Sequence, residues 1–577
     1  MRNVKNLFGM AVMATALVAC SSNDDLASNG HEGNQTGEAY AKFTIQLPTV
    51  SGTRAVDPKT GTEFNGGTAA EYEVKNGTII IFDNSGKFVE KAELGTMNPW
   101  TADTDDNGVT TAAAVTVQLH KVEVGTSYKA LVLLNNNSET TPKVTLPTDG
   151  DTYADWSAKA GKANATEYVK TDGIFMANAP MYTGTTTEPT TLVDIKKVYA
   201  SREQAQANSA TVVYVERGLA KVTMKDFNSS GYTIADGNTY AGDKVEIKNW
   251  KLDVTNKSTF PVHQIGTLST DYHGIWGNDR FYDGTNSTFK RVYWGIDPNY
   301  SDNTLFEGTT TPAPAKTALK NCQDNFNMIT NAQVDGKAGD ANPQYCLENT
   351  FNLANMKQGQ TTRVVFKAVY TPKTFNTGDT FYKVANNTAV WHEDALKQQI
   401  LTLALQAMKI TDPTEQAMYK VDLAKGSNIS GKAGQHLIKE ANITYLGTTP
   451  TDSKVTPAIV NTVNEKLGLK EEGGKIITGI STYLNGEAYY IARIKHFNEL
   501  TPWTAGTAYG TDNATFLGRY GVLRNNWYEL SVKSISNLGY PEVPEVKPET
   551  PDDENDKYIN VEVKILDWAK RSQSIEL

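Results

Sequence analysis

Several features that would indicate an enzyme or a nucleic-acid-binding protein are scarce or missing in this chain of 577 residues. The formal net charge is −10 and no basic cluster occurs, so nucleic acid is not an expected partner. The sequence contains no Gly-x-Ser-x-Gly, no His-Glu-x-x-His and no phosphate-binding loop. We therefore expect neither catalytic activity nor a cofactor.

Ligands for a metal ion are also sparse, since only three cysteines and seven histidines occur. Cys322 and Cys346 could form a disulfide in an exported protein, or they could be two buried free thiols. Two cysteines with scattered histidines do not make a zinc site. The run Asp-x-Asp-x-Asn-Gly at residues 103–108 begins like a calcium loop, but Ala114 stands where the bidentate glutamate belongs. We expect no metal site.

Long apolar runs are missing as well, and after residue 20 none approaches the length of a membrane-spanning helix. The first twenty residues differ, because Arg2 and Lys5 precede an apolar stretch that is typical of a secretory signal peptide. The tetrapeptide Leu-Val-Ala-Cys that ends at Cys20 is the pattern that a lipoprotein signal peptidase reads. We therefore expect an exported precursor with a lipid on Cys20. The alternative is an ordinary signal peptide that contains a cysteine.

The next segment combines a tether, a strand and a loop. Residues 21–37 are rich in Ser, Asn, Asp and Gly, which predicts a flexible tether. Strict alternation from Ala39 to Leu47 is typical of a half-buried strand. The apolar face of this strand consists of Ala39, Ala41, Phe43, Ile45 and Leu47. The polar loop that follows is accessible, and Arg54, followed by Ala55, is a good target for a trypsin-like protease.

The rest of the chain predicts an all-β fold with a few inserted helices. Runs of β-branched and aromatic residues alternate with Gly, Asn, Asp and Thr, and helices are predicted at residues 394–409 and 455–467. Dense turn residues at 226–242 predict a domain boundary. The expected architecture is two tandem β-sandwich domains of transthyretin-like or Greek-key type. The predicted limits are a signal peptide at 1–20, a propeptide at 21–54, an N-terminal domain at 55–235, a C-terminal domain at 236–540, and a linker with a final strand at 541–577.

The C-terminal end joins a Pro-rich acidic stretch, residues 541–554, to a last strand. The stretch predicts an extended, semi-rigid linker. The strand places Ile559, Val561, Val563 and Ile565 on one face, and such a strand must add to a sheet of its own chain or of a neighbour. Fully burying four or five such side chains would contribute on the order of 6–15 kcal/mol, enough to drive association by strand addition.

These features together resemble the fimbrillins of Bacteroidales-type (type V) pili, in particular the major shaft subunits of short fimbriae. The N-terminal resemblance lies in Cys20, the first strand and the site at Arg54 and Ala55. The stretch 215–222 is similar to a strand pair of the family's N-terminal domain, and residues 522–535 resemble its last domain strand. The linker, the stretch 561–563 with Trp568 and the closing residues 574–577 resemble the family's C-terminal arm.

The resemblance implies a structural subunit of a cell-surface fimbria that serves adhesion and colonisation. Such a subunit reaches the outer membrane of a Gram-negative bacterium as a lipoprotein, and a surface protease cuts it after Arg54. The cut removes the strand that carries Ala41, Phe43, Ile45 and Leu47, and the arm of the next subunit fills the groove. The implied donor residues are Ile559, Val561, Val563, Ile565, Leu566 and Trp568. The implied partners are copies of itself, anchor and tip subunits, the processing protease, and a host or bacterial surface ligand.

Two other functions remain open from the sequence. A fimbrial tip or accessory subunit should lack one of the two exchange ends, whereas this chain has both. A monomeric surface lipoprotein could instead bind glycans through exposed aromatic residues, with the C-terminal strand paired inside its own domain. The candidate aromatic residues are Trp276, Tyr282, Tyr293 and Trp294.

Overall fold

The computed structural model describes residues 38–47, 68–95, 112–137, 143–162, 165–169, 173–182, 189–266, 290–291, 294–306, 314–496, 516–552, 559–566 and 571–572. Strands predominate among these residues and the helices are few, so the predicted all-β class is confirmed. No helix in this part of the chain is both long enough and apolar enough to span a bilayer.

The elements are numbered in chain order. The strands of the first half are β1 (Ala39–Gln46), β2 (Gly77–Asp83), β3 (Phe88–Glu93), β4 (Ala112–Leu119), β5 (Tyr128–Leu134), β6 (Gly161–Lys162), β7 (Met176–Asn178), β8 (Met181–Tyr182), β9 (Val193–Asp194), β10 (Thr211–Arg217), β11 (Ala220–Met224), β12 (Tyr232–Thr233), β13 (Lys244–Asp253), β14 (Thr255–Asn256), β15 (Ser258–Thr259) and β16 (Lys290–Arg291). Those of the second half are β17 (Phe326–Asn327), β18 (Gln344–Cys346), β19 (Arg363–Thr371), β20 (Phe381–Val384), β21 (Val390–Trp391), β22 (Tyr419–Val421), β23 (Gly434–His436), β24 (Ile443–Tyr445), β25 (Lys470–Glu472), β26 (Lys475–Thr478), β27 (Ile480–Tyr483), β28 (Glu487–Arg493), β29 (Trp527–Ile535), β30 (Ile559–Leu566) and β31 (Arg571–Ser572).

Helices connect or interrupt these strands. The α-helices are α1 (Ala69–Tyr72), α2 (Tyr153–Ser157), α3 (Ala165–Tyr168), α4 (Arg202–Ala207), α5 (Pro314–Asn325), α6 (Glu393–Ala407), α7 (Pro413–Gln416) and α8 (Pro457–Lys466). Short 3-10 helices occupy Asn303–Phe306, Asn331–Gln333, Leu353–Asn355, Glu440–Asn442, Pro450–Asp452 and Leu484–Gly486.

The first sheet has the strand order β3-β2-β5-β7-β10-β1-β4, and β9 pairs with β5 beside this path. Its two ends approach each other, because the carboxylate of Glu90 on β3 accepts backbone N–H groups of His120 at 3.0 Å and Lys121 at 2.8 Å, just beyond β4. The sheet therefore curls around an apolar core that its inner face supplies. The core includes Phe43, Ile45, Ile79, Ile81, Val117, Val132, Leu134, Val213 and Val215.

The second and third sheets form a sandwich. Their strand orders are β18-β11-β29-β30-β31 and β12-β13-β19-β28. Alternate side chains of the two sheets meet in a shared core, as expected when two strand layers pack face to face. This core includes Val222, Met224, Ile247, Trp250, Val364, Phe366, Tyr490, Tyr528 and Leu530.

The chain passes from the first sheet to the second at Gly218 and Leu219. The resemblance at residues 215–222 predicts a strand pair inside one domain, but β10 and β11 lie in different sheets and do not pair with each other. Gly218 makes this crossing tight, because a Cβ atom there would lie 2.7 Å from the ring of Phe175. The crossing comes before the predicted boundary at residue 235, and the domain limits stay predictions.

A helical insertion covers the fourth sheet, whose strand order is β21-β20-β27-β23. Helices α6 and α8 bury one face each against this sheet. Their ends agree within two residues with those of the helices predicted from periodicity at 394–409 and 455–467. Thr456 begins α8 by accepting the backbone N–H of Ile459 at 3.3 Å, and Pro457 occupies the first helical position.

Candidate functional site

The first strand, β1, lies inside the first sheet and not at its edge. Its predicted apolar face is buried, with Phe43 and Ile45 fully inaccessible and Leu47 at 4% exposure. The alternate side chains of Tyr40, Lys42 and Thr44 are half-buried on the opposite face. Strict alternation therefore corresponds to one face in the core and one face near the surface.

Two neighbours hold the backbone of β1 along its length. It runs antiparallel to β4 through eight residue pairs, from Ala39 opposite Leu119 to Gln46 opposite Ala112. On its other side it runs parallel to β10, where Phe43 to Gln46 pair with Thr211 to Tyr214. We call the space between β4 and β10 the slot. Removing β1 would leave the backbone of both neighbours unpaired along the slot.

A second set of contacts fixes the start and the outer face of β1. Tyr40 exchanges two backbone hydrogen bonds of 2.8 Å with Tyr199. The ammonium group of Lys42 donates to the carbonyl oxygens of Gln206 at 2.8 Å and Asn208 at 3.3 Å, at the end of α4. The strand is thus held by backbone, apolar and polar contacts together.

The predicted cleavage site, Arg54 and Ala55, lies outside the described residues, as does Cys20. Glu71, in the described range 68–95 that follows the predicted cut, is deeply buried. The Glu71 carboxylate lies 2.7 Å from the ammonium nitrogen of Lys221 and accepts the hydroxyl of Tyr345 at 2.6 Å. Burial pushes the pKa of Glu71 upward, but the charge of Lys221 and these hydrogen bonds outweigh it and hold the pKa below its usual value.

These contacts anchor the chain after the predicted cut. Lys221 lies on β11 and Tyr345 on β18, which are both strands of the second sheet. The guanidinium group of Arg217, on β10 of the first sheet, donates to the carbonyl oxygen of Glu71 at 2.9 Å. Glu71 therefore connects helix α1, which follows the predicted cut, to both the first and the second sheet.

The C-terminal strand, β30, pairs with a strand of its own chain. It lies antiparallel to β29, with Trp527 opposite Leu566 and Ile535 opposite Ile559. On its other side the short strand β31 pairs with Lys564 and Ile565. The predicted donor residues from Ile559 to Leu566 are thus in strand conformation, whereas Trp568 lies outside the described residues.

The structure does not bring the first and last strands together. β1 lies in the first sheet and β30 in the second, and both are eight residues long. Sequence alternation could identify both strands, but the pairing of β30 with β29 joins residues 24 to 39 positions apart and has no local signal in the sequence. The Pro-rich segment before β30 is hydrogen-bonded to the rest of the chain, for example at Pro544, and does not stand free.

The remaining candidate residues fall elsewhere. Cys322 and Cys346 are free and buried in two different apolar clusters, so the disulfide alternative is not formed. Burial raises the pKa of both thiols to about 12, which keeps them protonated. Trp294 is fully buried and cannot serve as an exposed glycan contact, while Trp276, Tyr282 and Tyr293 lie outside the described residues. The described residues contain no group of three or more His, Cys, Asp or Glu side chains suited to a metal ion.

Comparison with known proteins identifies the C-terminal region. Residues 481–574 match the family described as "Major fimbrial subunit protein type IV, Fimbrillin, C-terminal". This range contains β28, β29, the Pro-rich segment, β30 and β31. No curated protein matches the chain.

Several solved structures resemble the fold distantly. A candidate cell adhesion protein from Parabacteroides distasonis has 11% identity and a TM-score of 0.36, with 92% of this chain and 98% of that chain covered. The tip fimbrial protein Mfa3 from Porphyromonas gingivalis, truncated at its C-terminus, has 8% identity and a TM-score of 0.29, with coverages of 92% and 100%. A fimbrial assembly protein from Parabacteroides distasonis has 12% identity and a TM-score of 0.26, with coverages of 57% and 81%. Because these values are low, the likeness to fimbrial proteins rests on residues 481–574, which match the C-terminal region of fimbrillin, a major fimbrial subunit protein.

Proposed function

We propose that the chain is a shaft subunit that polymerises by exchanging its C-terminal strand into the slot of the next copy. The precursor is exported as a lipoprotein on Cys20, and β1 fills its slot until a surface protease cuts after Arg54. The observation that carries the proposal is the position of β1, which is a central strand and yet lies upstream of the predicted cut.

The energetics of β1 explain why an incoming strand is needed. Phe43, Ile45 and Leu47 contribute roughly 1.5–3 kcal/mol each through burial, and the strand also satisfies backbone groups of β4 and β10. After cleavage, an empty slot would expose this apolar surface and two strand edges. A neighbour's β30 has the same length and the same alternation, so it can replace most of what β1 supplied.

The partners and the location of such a subunit follow from its role in the shaft. The subunit lies in a cell-surface fimbria and contacts copies of itself along the shaft, with anchor and tip subunits at the ends. A surface protease specific for arginine performs the cut, and adhesion depends on a host or bacterial surface ligand that the exposed loops would contact.

Two complementary variants test this assignment. The acceptor lacks residues 559–577 and keeps Arg54, and it is treated briefly with trypsin, which is then inhibited. The donor carries Arg54→Ala and keeps its C-terminal strand. Mixing them should give a 1:1 complex that does not grow, because the donor's slot is filled and the acceptor has no strand to offer. Uncut acceptor is the control and should remain monomeric.

A monomeric surface lipoprotein is the second candidate, and the pairing of β30 with β29 favours it. Such a protein would keep β1 and would give no complex in the mixing experiment. A mixture that stays monomeric after a verified cut at Arg54 would therefore favour this second candidate.

A further inference from the structure

The Pro-rich segment before β30 behaves as a docked strap. We define the strap as residues Tyr540 to Asp552. At its start Tyr540 exchanges two backbone hydrogen bonds of 2.8 Å with Tyr489 on β28. Further along, the carbonyl oxygen of Pro544 accepts a guanidinium N–H of Arg363 at 2.7 Å. Arg363 is itself buried, so this contact ties the strap to the interior of the second sandwich.

The middle of the strap inserts a side chain into an apolar cluster. Val546 is 5% exposed and packs with Val254, Leu305, Cys322 and Phe326. Two residues later the backbone passes so close to Gly359 that a Cβ atom there would lie 2.8 Å from the Cα atom of Pro548. A glycine at position 359 therefore gives the strap room to dock.

The end of the strap pairs like a short strand. Pro551 lies opposite Lys357 in an antiparallel bridge. The bridge is flanked by two backbone hydrogen bonds, from Gln358 to Thr550 at 2.8 Å and from Asp552 to Met356 at 3.1 Å. The strap thus remains hydrogen-bonded to the body up to its last residue.

Asp552 is the last anchor of the strap. Its side chain is fully buried and accepts the hydroxyl of Thr361 at 2.9 Å. Since burying a carboxylate without partners is costly, this contact is specific to the docked position. The strap is therefore held by buried polar and apolar anchors at several points along its length.

We propose that the strap stays docked when β30 exchanges, so that Asp552 is the fixed pivot of the C-terminal arm. This inference rests on the strand exchange proposed above. It specifies that β30 moves whereas the strap does not. Ile559 follows Asp552 by seven positions, and seven fully extended residues span at most about 25 Å. The slot of the neighbouring subunit must therefore come within about 25 Å of Asp552, which requires close packing of successive subunits.

Two designed disulfides distinguish movement of the strap from movement of β30. In a Cys322→Ala background, Lys357→Cys with Pro551→Cys joins the strap to the body across a pair that suits a disulfide, because the flanking hydrogen bonds bring the opposed residues close. Ser531→Cys with Glu562→Cys joins β29 to β30 at paired positions. Each protein is cut at Arg54, and filaments are counted by electron microscopy before and after reduction.

The expected result is that the oxidised strap variant assembles without loss, whereas the oxidised β29–β30 variant assembles only after reduction. If the oxidised strap variant fails and reduction restores filaments, the strap must move and the pivot is wrong. If the oxidised β29–β30 variant also assembles, exchange of β30 itself is wrong, which is a separate conclusion.

Hydrogen exchange on the unmodified chain gives an answer that does not depend on any disulfide. The amides of Gln358, Val543 and Asp552 should stay protected in both the monomer and the filament, since their hydrogen bonds belong to the docked strap. Loss of their protection on assembly would overturn the pivot.

Discussion

Lys221 lies on a strand, yet its ammonium group is buried at the junction between two sheets. It lies over the ring of Trp527 at 3.7 Å from the centroid and forms the ion pair with Glu71. Burial lowers the pKa of Lys221, although the charge of Glu71 opposes this effect. Sequence alternation predicts which residues share a face, but it does not reveal that a lysine and a glutamate separated by 150 positions will pair.

Breaking this ion pair should destabilise the protein strongly. Glu71→Gln removes the carboxylate that pairs with the buried Lys221 cation, which costs about 3–5 kcal/mol. Chemical denaturation measures the free energy of unfolding of the variant. Lys320→Ala is the control, because it removes an exposed pair with Asp324 and should cost about 0–1 kcal/mol. A Glu71→Gln loss no larger than the control would contradict the assigned role.

His263 is one of the scattered histidines of the sequence, and the fold buries it. Its Nδ1 lies 2.8 Å from the Glu216 carboxylate, and Nε2 faces the carbonyl oxygen of Trp294 at 3.2 Å. Burial alone would lower the pKa of His263, but the charge and hydrogen bond of Glu216, helped by Glu348, raise it overall. The nearby cation of Arg524 acts in the opposite direction.

The raised pKa predicts a pH-dependent stability. The His263 contribution is fully present below the unfolded pKa of about 6.5 and is lost as the pH rises through the higher folded value. Subtracting the unfolding free energy of His263→Gln from that of the parent protein, across this range, isolates the effect. The difference should fall as the pH rises. A flat difference, or one equal to that for the exposed His120→Gln, would refute the ion pair.

At the scale of elements, periodicity predicts strands well and their partners poorly. The predicted strand from Ala39 to Leu47 corresponds to β1, and the predicted last strand, with its apolar row from Ile559 to Ile565, corresponds to β30. Both could be predicted because alternation and turn residues are local properties. Sheet membership is decided by contacts between distant segments. For this reason β11 pairs with β29 in the second sheet and not with β10.

Helix α5 shows a second limit of sequence reasoning at this scale. It spans Pro314–Asn325 and was not predicted, whereas α6 and α8 were. Its sequence contains two residues each of Ala, Lys and Asn and only one large aliphatic residue, Leu319, so its helical periodicity is weak. Cys322, which is buried on this helix, packs with Phe326 and with Val546 of the strap. Contacts with distant residues thus stabilise α5, whose local sequence pattern does not predict a helix.

The β1 slot predicts that a short peptide can block assembly. A peptide of residues 38–47, added to the cut protein, should refill the slot and prevent filament growth, because it restores the pairs with β4 and β10. A control peptide with Asp in place of Phe43 and Ile45 should not block, since both side chains are fully buried in the slot. Light scattering follows growth. Equal inhibition by both peptides would contradict a slot-specific mechanism.

At the scale of the whole molecule, the two ends of the chain occupy different sheets. β1 completes the first sheet and β30 pairs in the second, so both strands are paired within the same chain. The composition and the patterns near the two termini were sufficient to predict the all-β fold class and the strands β1 and β30. The docking of the strap and the pairing of β30 required the three-dimensional contacts, since a Pro-rich acidic stretch has the same composition whether it is docked or free.

The most direct test of strand exchange uses the protein without residues 1–20 and a brief trypsin treatment. N-terminal sequencing and electron microscopy are then applied to the same sample. The account predicts one cut after Arg54, a new N-terminus at Ala55, and filaments that vanish when residues 559–577 are deleted. A protein that is cut at Arg54 and stays monomeric, or that forms filaments without residues 559–577, would contradict it.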